Sequence, residues 1–284
     1  MGKISTGWQI TKQSLHVIKH DKEIVLFPIL SFIITLGLGA LFFFLFLLPS
    51  LFAPELYEGS SIFNVTFFTL SFVFLIVVYF VNIYFEAAII SSAMIRFSGK
   101  NPTFGEGLAG PSKRVHALFI WAIINAVIAV ILNILQNLGR RGGRGTQIGV
   151  DMARSLFGMA WNLLTFFVIP LIVLEKESPF ASISRSKDLF KKTWGENITA
   201  QLSAGGIIFI FAIPAIALII LGALAGGVIA SIGISIGILW LAILMVLATS
   251  VNGIIKAALY HYATTSKMPQ VYSPEVSQAM TLSN

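Results

Sequence analysis

From residue 202 to residue 250 the sequence contains no Asp, Glu, Lys or Arg. A run of that length is a membrane feature, because in hydrocarbon the backbone N–H and C=O groups must be satisfied internally, and a helix does this within a single segment. A spanning helix takes about twenty apolar residues at 1.5 Å each to cross roughly 30 Å of hydrocarbon. The uncharged run is about twice one span, and Ala225-Gly226-Gly227 offers a tight turn inside it. It therefore divides into spans at 202–224 and 228–250. Four further stretches meet the same length requirement, at 27–48, 62–85, 117–138 and 156–174. The expected fold is all-α, with six transmembrane helices.

Composition agrees with this reading. Hydrophobic residues make up 56% of the 284-residue chain, charged residues only 11%, and the mean hydropathy is +0.88, values outside the range of soluble domains. The net charge of +7 would point to nucleic acid in a soluble domain. Here the basic residues flank apolar runs, where they set topology and meet anionic headgroups, so lipid is the expected partner and nucleic acid is not. The absence of Cys excludes disulfide frameworks, thiolate metal sites and cysteine nucleophiles.

The first twenty residues carry Lys3, Lys12 and Lys19 with no acid before Asp21. They lack the apolar core of a signal peptide and read as mature protein. Ile4, Trp8, Leu15 and Ile18 form a stripe at helical spacing with lysines beside it, the pattern of an interfacial helix.

Basic residues orient the bundle. With the N-terminus inside, fifteen of the nineteen Lys and Arg residues fall in cytoplasmic segments and four outside, which predicts that both termini are cytoplasmic. The first outer loop, 49–61, is purely acidic through Glu55 and Glu58. Arg140, Arg141, Arg144 and Arg154 dissent in the second. Phospholipid phosphate is their expected ligand.

The chain also repeats itself. Val81-Asn82 with Glu86-Ala87-Ala88 matches Val251-Asn252 with Lys256-Ala257-Ala258, and each copy runs on to a Lys and a Pro, in Lys100-Asn101-Pro102 and Lys267-Met268-Pro269. Lys176-Glu177-Ser178-Pro179 supplies a third such ending. The inferred unit is a cytoplasmic amphipathic segment followed by a transmembrane hairpin, occurring at 1–101, 102–178 and 179–268. A further amphipathic segment at 272–282 lies in a short C-terminal tail, 269–284. Helices two and six then run in the same direction, which makes the repeat parallel. Glu86 and Lys256 occupy equivalent positions at two helix ends and are a candidate intramembrane ion pair.

Several strings spell catalytic or binding motifs in the wrong context. Gly233-Ile-Ser235-Ile-Gly237 matches a nucleophile elbow, but it lies within a span, away from His16, His20, His116 and His261. Small-residue helix packing accounts for it, as for Gly222 and Gly226 at GxxxG spacing. Gly105, Gly107 and Gly110 spell a dinucleotide fingerprint with no strand before it, and the segment reads as a loop. His16 and His20 share a helix face, but two ligands are not a metal site. Asn82, Asn125, Asn133, Gln136, Asn162 and Asn252 read as interhelical hydrogen-bonding groups. Pro170 and Pro214 are candidate kinks. The expectation is a protein without catalytic residues, cofactor or metal.

The densest charge lies at 166–197. An apolar run ends in Glu175-Lys176-Glu177, Ser178-Pro179 punctuates, and a basic amphipathic segment follows. Trp8, Arg185, Lys187, Lys191, Lys192 and Trp194 are the expected contacts to lipid or a partner, the aromatic residues at acyl level and the cations near anionic headgroups.

Glu175, Ser178-Pro179, Ala181 and Arg185-Ser186, ahead of Trp194, together resemble the motif of prokaryotic multi-helix membrane families of unknown function. These include families similar to the membrane domain attached to some glycerophosphodiester phosphodiesterases. The resemblance implies a six-helix module with no established catalytic residues. The soluble phosphodiesterase domain has no counterpart in this sequence, so that activity is not implied. The functional expectation is a non-enzymatic integral protein of the cytoplasmic membrane, serving as scaffold, assembly partner or lipid-organising module. Its expected partners are anionic lipid and a membrane protein or second copy. A transporter or channel for a small or lipidic solute is the alternative.

Overall fold

A computed structural model describes residues 3–52, 61–141 and 143–276, and among these every regular element is helical. In order they are α1 (Lys3–His20), α2 (Glu23–Phe42), a π-helical turn (Phe43–Leu47), α3 (Leu48–Phe52), α4 (Ser61–Phe97), α5 (Phe104–Ser112), α6 (Val115–Arg141), α7 (Gly143–Leu164), α8 (Val168–Leu174), α9 (Pro179–Lys192), α10 (Trp194–Ala225) and α11 (Gly227–Thr265). Six stretches are long and apolar enough to cross a membrane: Glu23–Leu47, Asn64–Phe97, Val115–Arg140, Gln147–Leu174, Ala204–Ala225 and Gly227–Thr265. The protein is a multi-pass membrane protein. The loop carrying Glu55 and Glu58, and the tail beyond Val276, lie outside the described residues.

The chain divides into two compact units, one of Met1–Ile29, Ala88–Ala109 and Asp188–Asn284, the other of Leu30–Ala87 and Gly110–Lys187. In the first, α1 packs on α10 and α11. Its buried face is Ile10, Thr11, Ser14, Val17, Ile18 and Asp21, a spacing of one helical stripe. That stripe is rotated from the expected one, so Trp8 is 51% exposed and lies beside Lys12 and Lys19 on the open face. Asp21, just past the end of α1, pairs through both carboxylate oxygens with Arg96, whose third nitrogen donates to Asn101 Oδ1 at 2.8 Å.

Helices α10 and α11 meet through glycine. At Gly222 and Gly233 a Cβ would come within 3.0–3.1 Å of the other's Cα, and at Gly237 within 2.8 Å of the Ala215 carbonyl oxygen. This close packing of small residues accounts for the elbow-like string. Gly226 does not share in it: with φ +71° and open space around it, it forms the expected turn with Gly227.

The segment at 105–110 is a helix, not a loop. Thr103 and Glu106 make a reciprocal cap, in which the Thr103 N–H and hydroxyl both donate to Glu106 Oε2 (2.9 and 2.8 Å) and the Glu106 N–H donates to Thr103 Oγ1 (3.3 Å). This is the capping box, and these bonds hold the Glu106 carboxyl below its ordinary range. Gly107 sits flush against the Ser92 hydroxyl and the Phe27 ring, so its glycine is a packing requirement of the helix.

After α11 the chain turns at Ser266 (φ +57°) and runs back along α1. Tyr272 Oη lies 2.9 Å from Ser14 Oγ, Gln13 Nε2 donates to Ser273 Oγ at 2.9 Å, and Ser273 N–H donates to Gln13 Oε1 at 3.0 Å. Tyr272 also meets the Phe97 ring edge-on at 6.0 Å between centroids. Met268, Tyr272 and Val276 are buried, so the start of the tail is a packed strap.

In the second unit, α2 and α4 are joined by Ser31 Oγ donating to Asn82 Oδ1 (3.2 Å) and by stacking of Phe42 on Phe74 (4.7 Å). Trp121 of α6 stacks on Trp161 of α7 at 6.0 Å. The amides divide: Asn82 bonds between helices as expected, whereas Asn125 donates to Trp121 O and Asn137 to Asn133, each within its own helix. In both units the spans leave large apolar side chains bare, including Leu36, Phe44, Phe209 and Leu239, as a lipid-facing surface does.

Burial holds the Tyr272 hydroxyl in its neutral form and raises its pKa well above the ordinary 10.0. For a raised acid the stabilisation is complete below the unfolded-state value and declines as pH rises past it. The strap should therefore loosen from α1 above about pH 10, read as faster hydrogen exchange over residues 10–17. Tyr272→Phe should abolish that alkaline response while retaining the strap at neutral pH.

Candidate functional site

The junction at 166–187 is a polar region of the second unit, and it begins with a broken helix. The expected span at 156–174 starts earlier, at Gln147, and it is interrupted at residues 165–167. Pro170 explains the position: it has no N–H for the carbonyl of Phe166, and its ring displaces that carbonyl. Three-residue bonds, Phe166 N–H to Leu163 O (3.4 Å) and Val168 N–H to Thr165 O (3.1 Å), carry the chain across, and α8 resumes with Phe167 as its cap.

At this break the Phe167 amide takes an acceptor from another helix, and Phe167 is fully buried. Ser186 supplies one. Its hydroxyl, itself buried on α9, accepts the Phe167 N–H at 2.9 Å. Helix α9 thus closes a defect in the apolar helix before it.

Arg114 secures the far end of α8. Its Nε donates to Ile172 O at 3.2 Å, and Nη2 donates to Lys176 O and Glu177 O at 2.7 and 2.8 Å. These carbonyls fall in the last turn and just beyond it, where no helical N–H follows. Lys176 takes φ +60°, turning the chain so that Glu177 N–H reaches back to Leu171 O at 3.3 Å. Ser178 caps α9 by accepting the Ala181 N–H at 3.3 Å, and its carbonyl accepts from the Ser182 hydroxyl at 2.9 Å. Pro179 occupies the first helical position, where its missing N–H costs nothing.

Arg185 reaches back to both acids, Nη2 to Glu175 Oε2 and Nη1 to Glu177 Oε1, each at 2.6 Å. With Arg185 half exposed, the pairs contribute at most about 1 kcal/mol each. Their effect is geometric, fixing the elbow between α8 and α9. Helix α9 consequently buries Pro179, Ser182, Ser186, Leu189, Phe190 and Thr193 and exposes Phe180, Lys187, Lys191 and Lys192.

Of the residues singled out in the sequence, Arg185 is thus an elbow residue as well as an exposed cation. Lys187, Lys191 and Lys192 are exposed, Trp8 is on the open face of α1, and the side chain of Trp194 lies outside the described residues. Glu86 and Lys256 are both half-buried and belong to different units. Periodicity did not single out Ser186, Arg114, Asp21 or Arg96. The signal for Ser186 was Pro170, which forces a break, but nothing local says which hydroxyl answers it.

A family model for proteins of unknown function, DUF6159, matches residues 65–269. The chain belongs to the DUF6159 family. No curated protein and no solved structure shows a significant match. The DUF6159 match contains the whole junction, with Arg114, the Pro170 break, Ser186 and Arg185, and also Arg96. It excludes α1 and Asp21, so the acidic partner of Arg96 lies outside the region that the family model covers.

Ser186→Ala leaves a buried N–H without its acceptor, a loss of about 1–3 kcal/mol. It should lower the thermal midpoint in detergent and speed exchange of the Phe167 amide by tenfold or more. Arg114→Lys should also lower the midpoint, because one ammonium does not span carbonyls that the guanidinium fork reaches together. Wild-type exchange at Phe167 in the Ser186 variant would overturn this account.

Proposed function

We propose that the protein is a non-enzymatic module of a prokaryotic cytoplasmic membrane that organises anionic lipid and docks a membrane-protein partner or a second copy on its cytoplasmic face. The observation that carries this reading is α9. Its buried face is tied to the spanning helix through Ser186, and its open face offers Lys187, Lys191 and Lys192 with Phe180. That is the pattern of an interfacial helix held at fixed depth, with cations at headgroup level, each worth about 1 kcal/mol near an anionic surface.

In this reading both termini are cytoplasmic, following the excess of Lys and Arg on that side. The chain is one six-helix domain of three hairpins, each introduced by an amphipathic segment: α1, α5 and α9. The likeness to the membrane domains of some phosphodiesterases belongs here too, as a likeness of architecture without the activity. Three cavities among the described residues are lined almost entirely by apolar side chains, which suits acyl chains better than a hydrophilic solute. Flux of a small solute in proteoliposomes would favour the transporter reading.

Replacing Lys187, Lys191 and Lys192 together by Glu should expose α9 to hydrogen exchange in phosphatidylglycerol nanodiscs while leaving its behaviour in phosphatidylcholine unchanged. Equal protection of variant and wild type in phosphatidylglycerol counts against the reading.

A further inference from the structure

The first unit contains an apolar groove that ends against α1. Thr11 and Leu15 of α1, Ala204, Ile207, Ile208 and Phe211 of α10, and the α11 residues from Leu244 to Val251 enclose a cavity of about 200 Å³. A second, of about 360 Å³, continues along α10 and α11, shares Phe211 and Leu244 as walls, and extends to Trp240 and Ile236. From Val251 to Ile236 the groove follows fifteen helical steps, about 22 Å, more than the roughly 15 Å hydrocarbon depth of one leaflet. Pro214 shapes its wall. It has no N–H for the Ile210 carbonyl, and beside that point the indole Nε1 of Trp240 donates to Phe211 O at 3.1 Å, bridging the helices along the groove.

The α1 end is different. Trp8, Lys12 and Lys19 lie at helical spacing around Leu15, all exposed, and α1 carries no acid. Two acids follow it closely: Asp21 faces away into its pair with Arg96, and Glu23 opens α2 at an exposed position beside Lys22. An apolar slot longer than a leaflet's depth is thus walled at one end by the helix that carries two exposed cations and an indole.

We infer that this groove holds one anionic phospholipid, an acyl chain along Phe211, Leu244 and Trp240 and the phosphate at Lys12 and Lys19. The inference rests on the lipid-organising reading and sharpens it from a surface preference to a single stoichiometric site. Charge complementarity selects the occupant: a zwitterionic lipid fills the slot equally well but gains less from the two lysines. The bound lipid fixes α1 against the bundle, since it touches α1, α10 and α11 together.

The test uses the full chain from nanodiscs of phosphatidylcholine with a minority of phosphatidylglycerol, examined by native mass spectrometry. One phosphatidylglycerol should remain per chain. Lys12→Ala with Lys19→Ala should cut its retention by roughly tenfold or more, from two lysines at about 1 kcal/mol each. Ala248→Phe, which fills the slot and keeps both lysines, should remove the lipid. Independently, phosphatidylglycerol brominated on its acyl chain should quench Trp240 more than brominated phosphatidylcholine does, and the difference should vanish in Trp240→Phe. Equal retention or equal quenching by the two lipids overturns the inference even if the Ala248 variant does not fold. So does an Ala248→Phe protein that keeps its phosphatidylglycerol. The triple α9 lysine variant separates the two readings. If it still holds the groove lipid but binds phosphatidylglycerol membranes like wild type, the surface reading fails alone; if α9 detaches as expected and no groove lipid is found, the groove fails alone.

Discussion

A backbone amide in hydrocarbon has no water to turn to, and this constraint organises the junction on which the second unit depends. Pro170 breaks the spanning helix, and at the break the Phe167 N–H donates to Ser186. Because Ser186 belongs to α9, the bond sets more than local geometry. It fixes the rotation of α9 about its own axis, and therefore which side chains face outward. Lys187, Lys191 and Lys192 are exposed because Ser182, Ser186, Leu189 and Phe190 are not. Arg114 completes the arrangement by binding carbonyls at the end of α8 that capping by backbone alone would leave open.

The same requirement is met differently at the other two junctions. Where α4 ends, Arg96 bridges Asp21 and Asn101, drawing the α1–α2 corner to the α4–α5 corner. Such a partly buried pair is weak evidence of net stability, because desolvation offsets the attraction, but losing either partner strands the other. Where α11 ends, no arginine is used: Ser266 adopts the left-handed conformation and the Thr265 hydroxyl accepts the Lys267 N–H at 3.3 Å. Three sequence endings of similar spelling, each Lys followed by Pro, are therefore closed by three kinds of chemistry. The repeat is one of pattern, and the interactions that stabilise each copy are its own.

What could be read from the sequence follows from the same physics. Hydropathy over a window of about twenty residues finds spans, and it located all six. The Ala225-Gly226-Gly227 turn was legible because positive φ there calls for glycine. Window sums carry no information on individual partners, so Asp21 with Arg96 and Phe167 with Ser186 were hidden: each pairing is one choice among many polar groups distant in sequence. The helix at 104–112 was misread because its glycines outweighed the Thr103–Glu106 capping box. The span ending at Leu174 was set too short because the polar residues near its start, Gln147 and Asp151, lower the window average without ending the helix. The stripe on α1 was rotated because Thr11, Ser14 and Asp21 are polar yet buried, each answered by structure that periodicity does not include.

The strap has a consequence for the order in which the protein can be made. Gln13 and Ser14 find their partners in Tyr272 and Ser273, 258 to 260 residues later, and the other helices that cover α1 are α10 and α11. Contacts of such separation form late, because the intervening chain must close first. Helix α1 is thus seated only after α10, α11 and the strap have followed it. Until synthesis passes Tyr272, the face of α1 that bears Gln13 and Ser14 has yet to meet the strap that closes it.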